Sequence, residues 1–234
     1  MFNIDFNFYG LIIILSLLIG IIFICFNARN LKFSKEDIFF LIIYLLIGML
    51  LGAKYYDYIV NIEKYNSFNF LSIGLSSYGA VIGLVIMIFV YSKQFKKDFI
   101  SILNVIIPSL PLIYGLSKIA CFISGCCYGI EYDGIFSITY NYSHSAPNGI
   151  SLFPIQIVES IVFIIIFVIF YLKRKTMNKQ KYIGYLFIVC GFFKFILDFF
   201  RHIHVYQLIS TNQLISLLFI IIGIVFVYYN RKSL

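Results

Sequence analysis

Tryptophan is absent from this chain of 234 residues, histidine occurs 3 times, and charged residues make up only 12%. Soluble domains carry roughly 25% charged residues, so a soluble globular fold is excluded as the main architecture. His144, His202 and His204 are too few and too scattered for a histidine-rich metal centre. No glycine-rich phosphate loop is present, so a soluble nucleotide cofactor is not expected. No polar segment is long enough for a separate soluble domain. The longest polar connection is 128–153.

What is present is apolar. Hydrophobic residues account for 62% of the chain. They recur in runs near the ~20 residues that a membrane-spanning helix needs. The expected fold is therefore an all-α integral membrane protein, one domain over 1–234, with about seven spans. These lie at 8–26, 37–60, 71–92, 99–127, 154–172, 182–200 and 212–229. The first run has no basic leader and no small-x-small cleavage site, and it exceeds a signal h-region. It is expected to be a span rather than a secretory signal. No lipobox stands near the N-terminus, so the chain is not expected to be a lipoprotein itself. Pro108 and Pro111 should kink the fourth span, and a break near Gly125 is a further expectation. The 19 Tyr and 27 Phe read as a lipid-compatible surface, not a cofactor box. Cys25, Cys121, Cys126, Cys127 and Cys190 lie within or at the ends of apolar runs. A Cys-x4-Cys-Cys cluster without nearby His is not a recognised zinc spacing, so packing is the expected role and no metal is called.

Charge placement orients the spans. Arg29, Lys32 and Lys35 lie between spans one and two, and Lys93, Lys96 and Lys97 between three and four. Lys173, Arg174, Lys175, Lys179 and Lys181 lie between five and six, and Arg231 and Lys232 follow span seven. The opposite ends hold only Lys54, Lys64 and Arg201. Basic loops stay in the cytoplasm, which places the N-terminus outside and the C-terminus inside. Most of the net charge of +8 is thus topology and anionic-lipid contact, and nucleic acid is not expected as a partner.

On that topology the buried polar groups share one depth. Ser76, Ser77 and Tyr78 fall in the outer half of span three, and Lys118 and Cys121 near the outer end of span four. Gln156 and Glu159 lie within two turns of the outer end of span five, and Lys194, Asp198 and Arg201 in the last turns of span six. Arg201, His202 and His204 are expected at the solvated outer edge. Lys194 and Asp198 are spaced i,i+4 and share a face, so they can neutralise each other, as can Lys118 and Glu159. Four intramembrane charges at one level nonetheless exceed what structure alone requires. A lipid-facing cavity for a polar headgroup accounts for them.

Five segments carry a resemblance. Residues 104–129 end in Ser-Lys-Ile-Ala-Cys-Phe-Ile-Ser-Gly-Cys-Cys-Tyr-Gly. This is similar to the signature of the prolipoprotein diacylglyceryl transferase family, one branch of which reads Gly-Arg-Ile-Gly-Cys-Phe-Leu-x-Gly-Cys-Cys-Tyr-Gly. Ser76-Ser77-Tyr78-Gly79 resembles a family segment reading Phe-His-Gly-Gly or Ser-Tyr-Gly-Gly. Ser145–Gly149 followed by Phe153–Ser160 resembles its Pro-x-Gln-Leu-Tyr-Glu stretch. Residues 191–201 resemble Gly-x-x-Arg-Phe-x-x-Glu-Phe-x-Arg, and Gln213–Ser216 a Gln-x-x-Ser helix start. The chain departs from the pattern at Lys118 and Lys194 (Arg in the family), Tyr78 (often His), Cys121 (often Asn) and Cys126 (Glu, or Cys in the branch quoted).

The resemblance implies transfer of the diacylglyceryl group of phosphatidylglycerol to the lipobox cysteine of a prolipoprotein, at the outer face of the bacterial plasma membrane. It implies Tyr78, Lys118 and Lys194 as catalytic residues. It implies Ser76, Gly125, Gly129, Gln156, Glu159, Asp198 and Arg201 as substrate-binding residues. Lys118 and Lys194 would hold the phosphate, Arg201 would steer the headgroup, and Gly125 and Gly129 would let backbone approach it closely. Loop 128–153 would be extracytoplasmic and receive the acceptor peptide. No cofactor is implied. Lysine keeps the charge of arginine but loses its bidentate fork, and tyrosine is a poor base at neutral pH. A catalytically altered lipid-binding relative is therefore the second reading, and a small-solute transporter the third.

Overall fold

The computed structural model describes residues 6–229 apart from 32, 66–68, 71, 75, 175, 206 and 207. Lys32, Lys175, Arg231, Lys232 and the expected start of span three at Leu71 lie outside the described residues. So do the side chains of Lys64, Ser77, Lys179 and His204.

Apolar runs without internal proline become helices. These are α1 (Phe6–Asn30), α2 (Lys35–Val60), α3 (Ser77–Gln94), α6 (Ile155–Lys173), α7 (Lys179–Asp198) and α8 (Thr211–Tyr229). The fourth span divides as its prolines require. α4 (Phe99–Ile106) meets α5 (Leu110–Ser124) through a 3-10 turn at Ile107–Ser109, with Pro108 inside the turn and Pro111 in the first turn of α5. Among the described residues, six helical stretches are long and apolar enough to span a membrane, and Tyr78–Gln94 is a shorter apolar helix. The protein is an all-α multi-pass membrane protein. Large apolar side chains such as Ile22, Leu50, Ile86, Ile165 and Ile221 face outward, as a lipid solvent allows.

The chain forms two compact units. One comprises residues 25–105. Its α2 starts with a reciprocal cap, in which Asp37 N–H donates to Ser34 Oγ and Ser34 N–H to Asp37 Oδ2, both at 3.0 Å. Lys97 pairs with the same carboxylate at 2.6 Å. α2 and α3 then pack backbone to backbone. A Cβ at Gly52 would strike the Gly79 carbonyl, and one at Gly83 the Gly48 carbonyl. Such small-residue crossings replace the hydrophobic drive that lipid removes. Lys54, further along α2, gives its ammonium to the Phe70 and Ile73 carbonyls at 2.6 and 2.8 Å. α3 begins at Ser77, six residues later than expected from hydropathy, and before it the Ser72 and Ile73 N–H groups turn back to the Asn69 carbonyl at 3.1 and 3.2 Å.

The other unit comprises residues 1–24 and 106–234. Here α5, α6, α7 and α8 pack in sequence order. Phe23 of α1 stands edge-on to Phe167 and Tyr171 of α6. α7 and α8 again cross at glycine, Gly184 against Gly223. α5 ends at Gly125, whose left-handed φ of 70° turns the chain out of the helix. The segment that follows carries a short antiparallel pair, β1 (Ile138–Thr139) and β2 (Ser151–Leu152). A further bridge joins Gly129 to Arg201, fastening the turn after α5 to the end of α7.

Candidate functional site

Three cations surround one carboxylate inside this second unit. Glu159 of α6 is fully buried. Its Oε1 accepts from Lys194 Nζ at 2.6 Å, and its Oε2 from Arg201 Nη2 at 2.6 Å. Lys118 Nζ of α5 lies 3.3 Å from Oε2. Asp198, also fully buried, forms the second anionic centre. Lys194 reaches its Oδ1 at 3.3 Å and Asn212 Nδ2 at 3.3 Å, and Ser210 donates to its Oδ2. Three cations against two carboxylates leave one positive charge in excess. In a low-dielectric interior such a charge seeks an anion.

The positions follow from local structure. Lys194 and Asp198 share one face of α7, the i,i+4 relation expected from spacing. Glu159 follows the start of α6 by one turn and points the same way as Gln156 at 0% exposure. Gln156 does not cap its own helix. Its Nε2 donates to the Cys126 carbonyl at 2.9 Å, and its Oε1 is buried with no hydrogen-bond partner.

Arg201 corrects an expectation. It is not at a solvated edge but 7% exposed. The chain leaves α7 through a tight turn in which Arg201 N–H donates to the Asp198 carbonyl at 3.0 Å. The bridge to Gly129 then fixes the backbone, and the guanidinium folds back onto Glu159. Arg201 Nε lies 3.4 Å from Asp198 Oδ1, too poorly aligned for a hydrogen bond, so one buried donor is open. The two glycines are tightly packed. A Cβ at Gly129 would strike the Phe153 carbonyl, and one at Gly125 the Ser143 hydroxyl. At both glycines the position a side chain would take is occupied by the chain itself.

Ser76 and Tyr78 belong to the 25–105 unit. Ser76 precedes α3, and its N–H donates to the Ala53 carbonyl at 3.2 Å. Tyr78 is half-buried with its ring 6.3 Å from that of Tyr56.

Two participants escape a reading of charged residues alone. The Tyr114 ring lies 4.8 Å from Lys118 Nζ and 5.7 Å from Lys194 Nζ, beneath both cations. Its hydroxyl is buried without a hydrogen-bond partner. Its i−4 relation to Lys118 was the available signal. Ser210 caps the start of α8 in a reciprocal pair with Gln213, with both bonds at 3.1 Å, while its hydroxyl also serves Asp198.

The sequence model for prolipoprotein diacylglyceryl transferase matches residues 1–229. The phosphatidylglycerol–prolipoprotein diacylglyceryl transferase of Clostridium tetani is 32% identical, over 92% of this chain and 90% of that protein. A second such protein, from Clostridium perfringens, is 27% identical over 96% and 90%. One from Bacteroides fragilis is 23% identical over 100% and 92%. The chain belongs to the prolipoprotein diacylglyceryl transferase family.

Proposed function

We propose that this protein transfers the diacylglyceryl group of phosphatidylglycerol to the lipobox cysteine of prolipoproteins, at the outer face of the bacterial plasma membrane. The observation that carries the reading is the surplus positive charge of the Lys118–Lys194–Arg201 group around Glu159 and Asp198. A phosphodiester headgroup supplies the single missing negative charge.

The same arrangement favours the reaction over mere binding. The acceptor sulfur attacks the glyceryl carbon, the C–O bond breaks, and both its electrons leave with the phosphate. The departing glycerol phosphate gains a second negative charge as this happens. Cations fixed in advance stabilise that developing charge more than the ground state. Lys118 and Lys194 take the phosphate, while Arg201 and Asp198 hold Lys194 and Glu159 in place. Gln156, with its open carbonyl oxygen, is set to accept from a glycerol hydroxyl. Ser76 and Tyr78 enter as substrate-binding and proton-relaying groups on the family pattern alone.

The positive-inside distribution supports an outside N-terminus and a cytoplasmic C-terminus. It puts 128–153 of this single membrane domain outside, where an exported acceptor is found. The second reading, a lipid-binding relative without turnover, draws on Glu159, which already engages all three cations and competes with phosphate for them.

The deciding experiment is glycerol-phosphate release by purified protein in phosphatidylglycerol micelles, with and without a lipobox peptide. Peptide-dependent release, lost in Lys118→Ala, is the expected result. No release, in an assay where an arginine-bearing relative works, overturns the transferase reading in favour of lipid binding.

A further inference from the structure

Beside the cation group lies a cluster that the charge network does not use. The sulfurs of Cys121, Cys126 and Cys127 all lie within 4.8 Å of one another. Their sequence spacing gives no hint of this. It arises because α5 stops at Gly125 and the chain then doubles back, with Cys127 held at a positive φ of 56°. A non-glycine residue in the left-handed region is unfavourable and persists only where surroundings fix it. The turn is fixed here by the Gln156 bond to the Cys126 carbonyl and the Gly129–Arg201 bridge. Exposure is graded across the three thiols, with Cys121 buried, Cys126 half-buried and Cys127 open.

Three thiols in this arrangement match a thiophilic cation. Zinc–sulfur bonds of about 2.3 Å in tetrahedral geometry separate the sulfurs by roughly 3.8 Å, so the cluster needs to close by only about 1 Å. Metal binding takes cysteine as the thiolate, so the three sulfurs would bind as anions. Zinc sites with three protein ligands keep a fourth position for a substrate, and a coordinating thiol is deprotonated outright.

We infer that Cys121, Cys126 and Cys127 form a three-thiolate site for a zinc-class cation, whose open fourth position on the Cys127 side takes an acceptor thiol. The second half rests on the transferase reading. There the acceptor thiol gives up its proton to solvent on binding. Its sulfur then forms the bond to the glyceryl carbon, and the C–O electrons leave with glycerol phosphate.

The test is titration of the reduced full-length protein with Cd2+ alone, read by sulfur-to-cadmium charge-transfer absorbance. The expected result is a band that saturates at one Cd2+ per chain. It falls at least tenfold in Cys127→Ser and in Cys126→Ser and survives in the Cys25→Ser/Cys190→Ser double variant. Cys127 is exposed, so its serine variant is a fair test even if Cys121→Ser does not fold. Failure to saturate, or a band that persists in Cys127→Ser, overturns the metal site. Addition of a lipobox peptide is expected to intensify the band. A peptide with serine for cysteine is the control, and an equal response to both overturns the open thiol position while the metal site stands. Cadmium binding does not depend on lipid transfer. Loss of glycerol-phosphate release with binding intact therefore counts against the transferase reading alone.

Discussion

Glu159 of α6 and Arg201 meet at 2.6 Å through Oε2 and Nη2, 42 residues apart in sequence and both buried. The pair closes a chain of charges that runs from Lys118 through Glu159, Lys194 and Arg201 to Asp198. Removing the carboxylate leaves three cations with one counter-charge. Breaking a buried ion pair from one side costs about 3–5 kcal/mol, because the survivors stay charged and unpaired. Glu159→Gln should therefore lower the unfolding temperature in detergent as well as abolish glycerol-phosphate release. An unchanged melting point would mean that the cations escape to solvent and the network is looser than its distances indicate.

Lys118 and Lys194 differ in how much structure depends on them. Among the described residues, Lys194 engages both carboxylates and Lys118 only Glu159. Lys118→Ala should thus behave as a catalytic lesion with little loss of stability. A drop of about 10²–10³-fold in kcat is expected from loss of one preorganised charge contact. Lys194→Ala should lose both activity and melting temperature. Single-turnover rates set beside thermal melts would separate the two, and equal melting losses would contradict the division.

The spans were legible in the sequence because hydropathy and proline act locally. Pro108 and Pro111 produced the expected break in the fourth span, and Lys194 and Asp198 fell on one face through helix spacing alone. The misses share a different cause. Arg201 is carried inward by a bridge to Gly129, a pairing between segments that no periodicity encodes. Ser210 reaches Asp198 only because α8 starts where α7 ends. The three sulfurs meet through a left-handed turn at a cysteine, a conformation that cysteine does not advertise. At Gly125 and Gly129 a Cβ would strike the chain's own side chain or backbone, a close approach that spacing does not reveal.

The helix crossing in the 25–105 unit gives a stability prediction that leaves the charge network untouched. Gly83 sits against the Gly48 carbonyl and the Gly52 backbone, so a methyl there forces α2 and α3 apart. Overpacking of this kind costs about 1–3 kcal/mol. Gly83→Ala should melt at a clearly lower temperature, and Gly83→Leu should accumulate poorly in membranes. Wild-type melting of Gly83→Ala would show that the two helices separate freely.

The loop after α5 exposes apolar side chains that no neighbour covers: Ile135 is 95% and Phe136 76% exposed. On the proposed topology, which puts this loop outside, these side chains are placed to meet either the apolar part of a signal peptide or the lipid surface. Ile135→Asp/Phe136→Asp should raise the KM for lipobox peptide about tenfold, roughly the effect of losing 1.4 kcal/mol of binding, with kcat little changed. If membrane association rather than the peptide KM is what changes, the loop dips into lipid and the acceptor docks elsewhere.

Arginine tests the two departures from the family pattern most directly. A guanidinium holds phosphate through two parallel bonds where an ammonium offers a point charge. Its greater length must also fit beside Tyr114, whose ring already lies under both lysines. Lys118 has the simpler surroundings, with Glu159 its one ion-pair partner among the described residues, so Lys118→Arg should keep its pairing and gain a phosphate contact. Its release rate should equal or exceed that of the wild type, through a lower KM for phosphatidylglycerol. Lys194 sits between two carboxylates at 2.6 and 3.3 Å, a spacing set for a compact ammonium. Lys194→Arg should therefore lose activity unless Asp198→Glu accompanies it, since a longer carboxylate can follow the displaced charge. Equal tolerance of arginine at both positions would mean that the site reads charge alone and that lysine imposes no geometry on the bound phosphate.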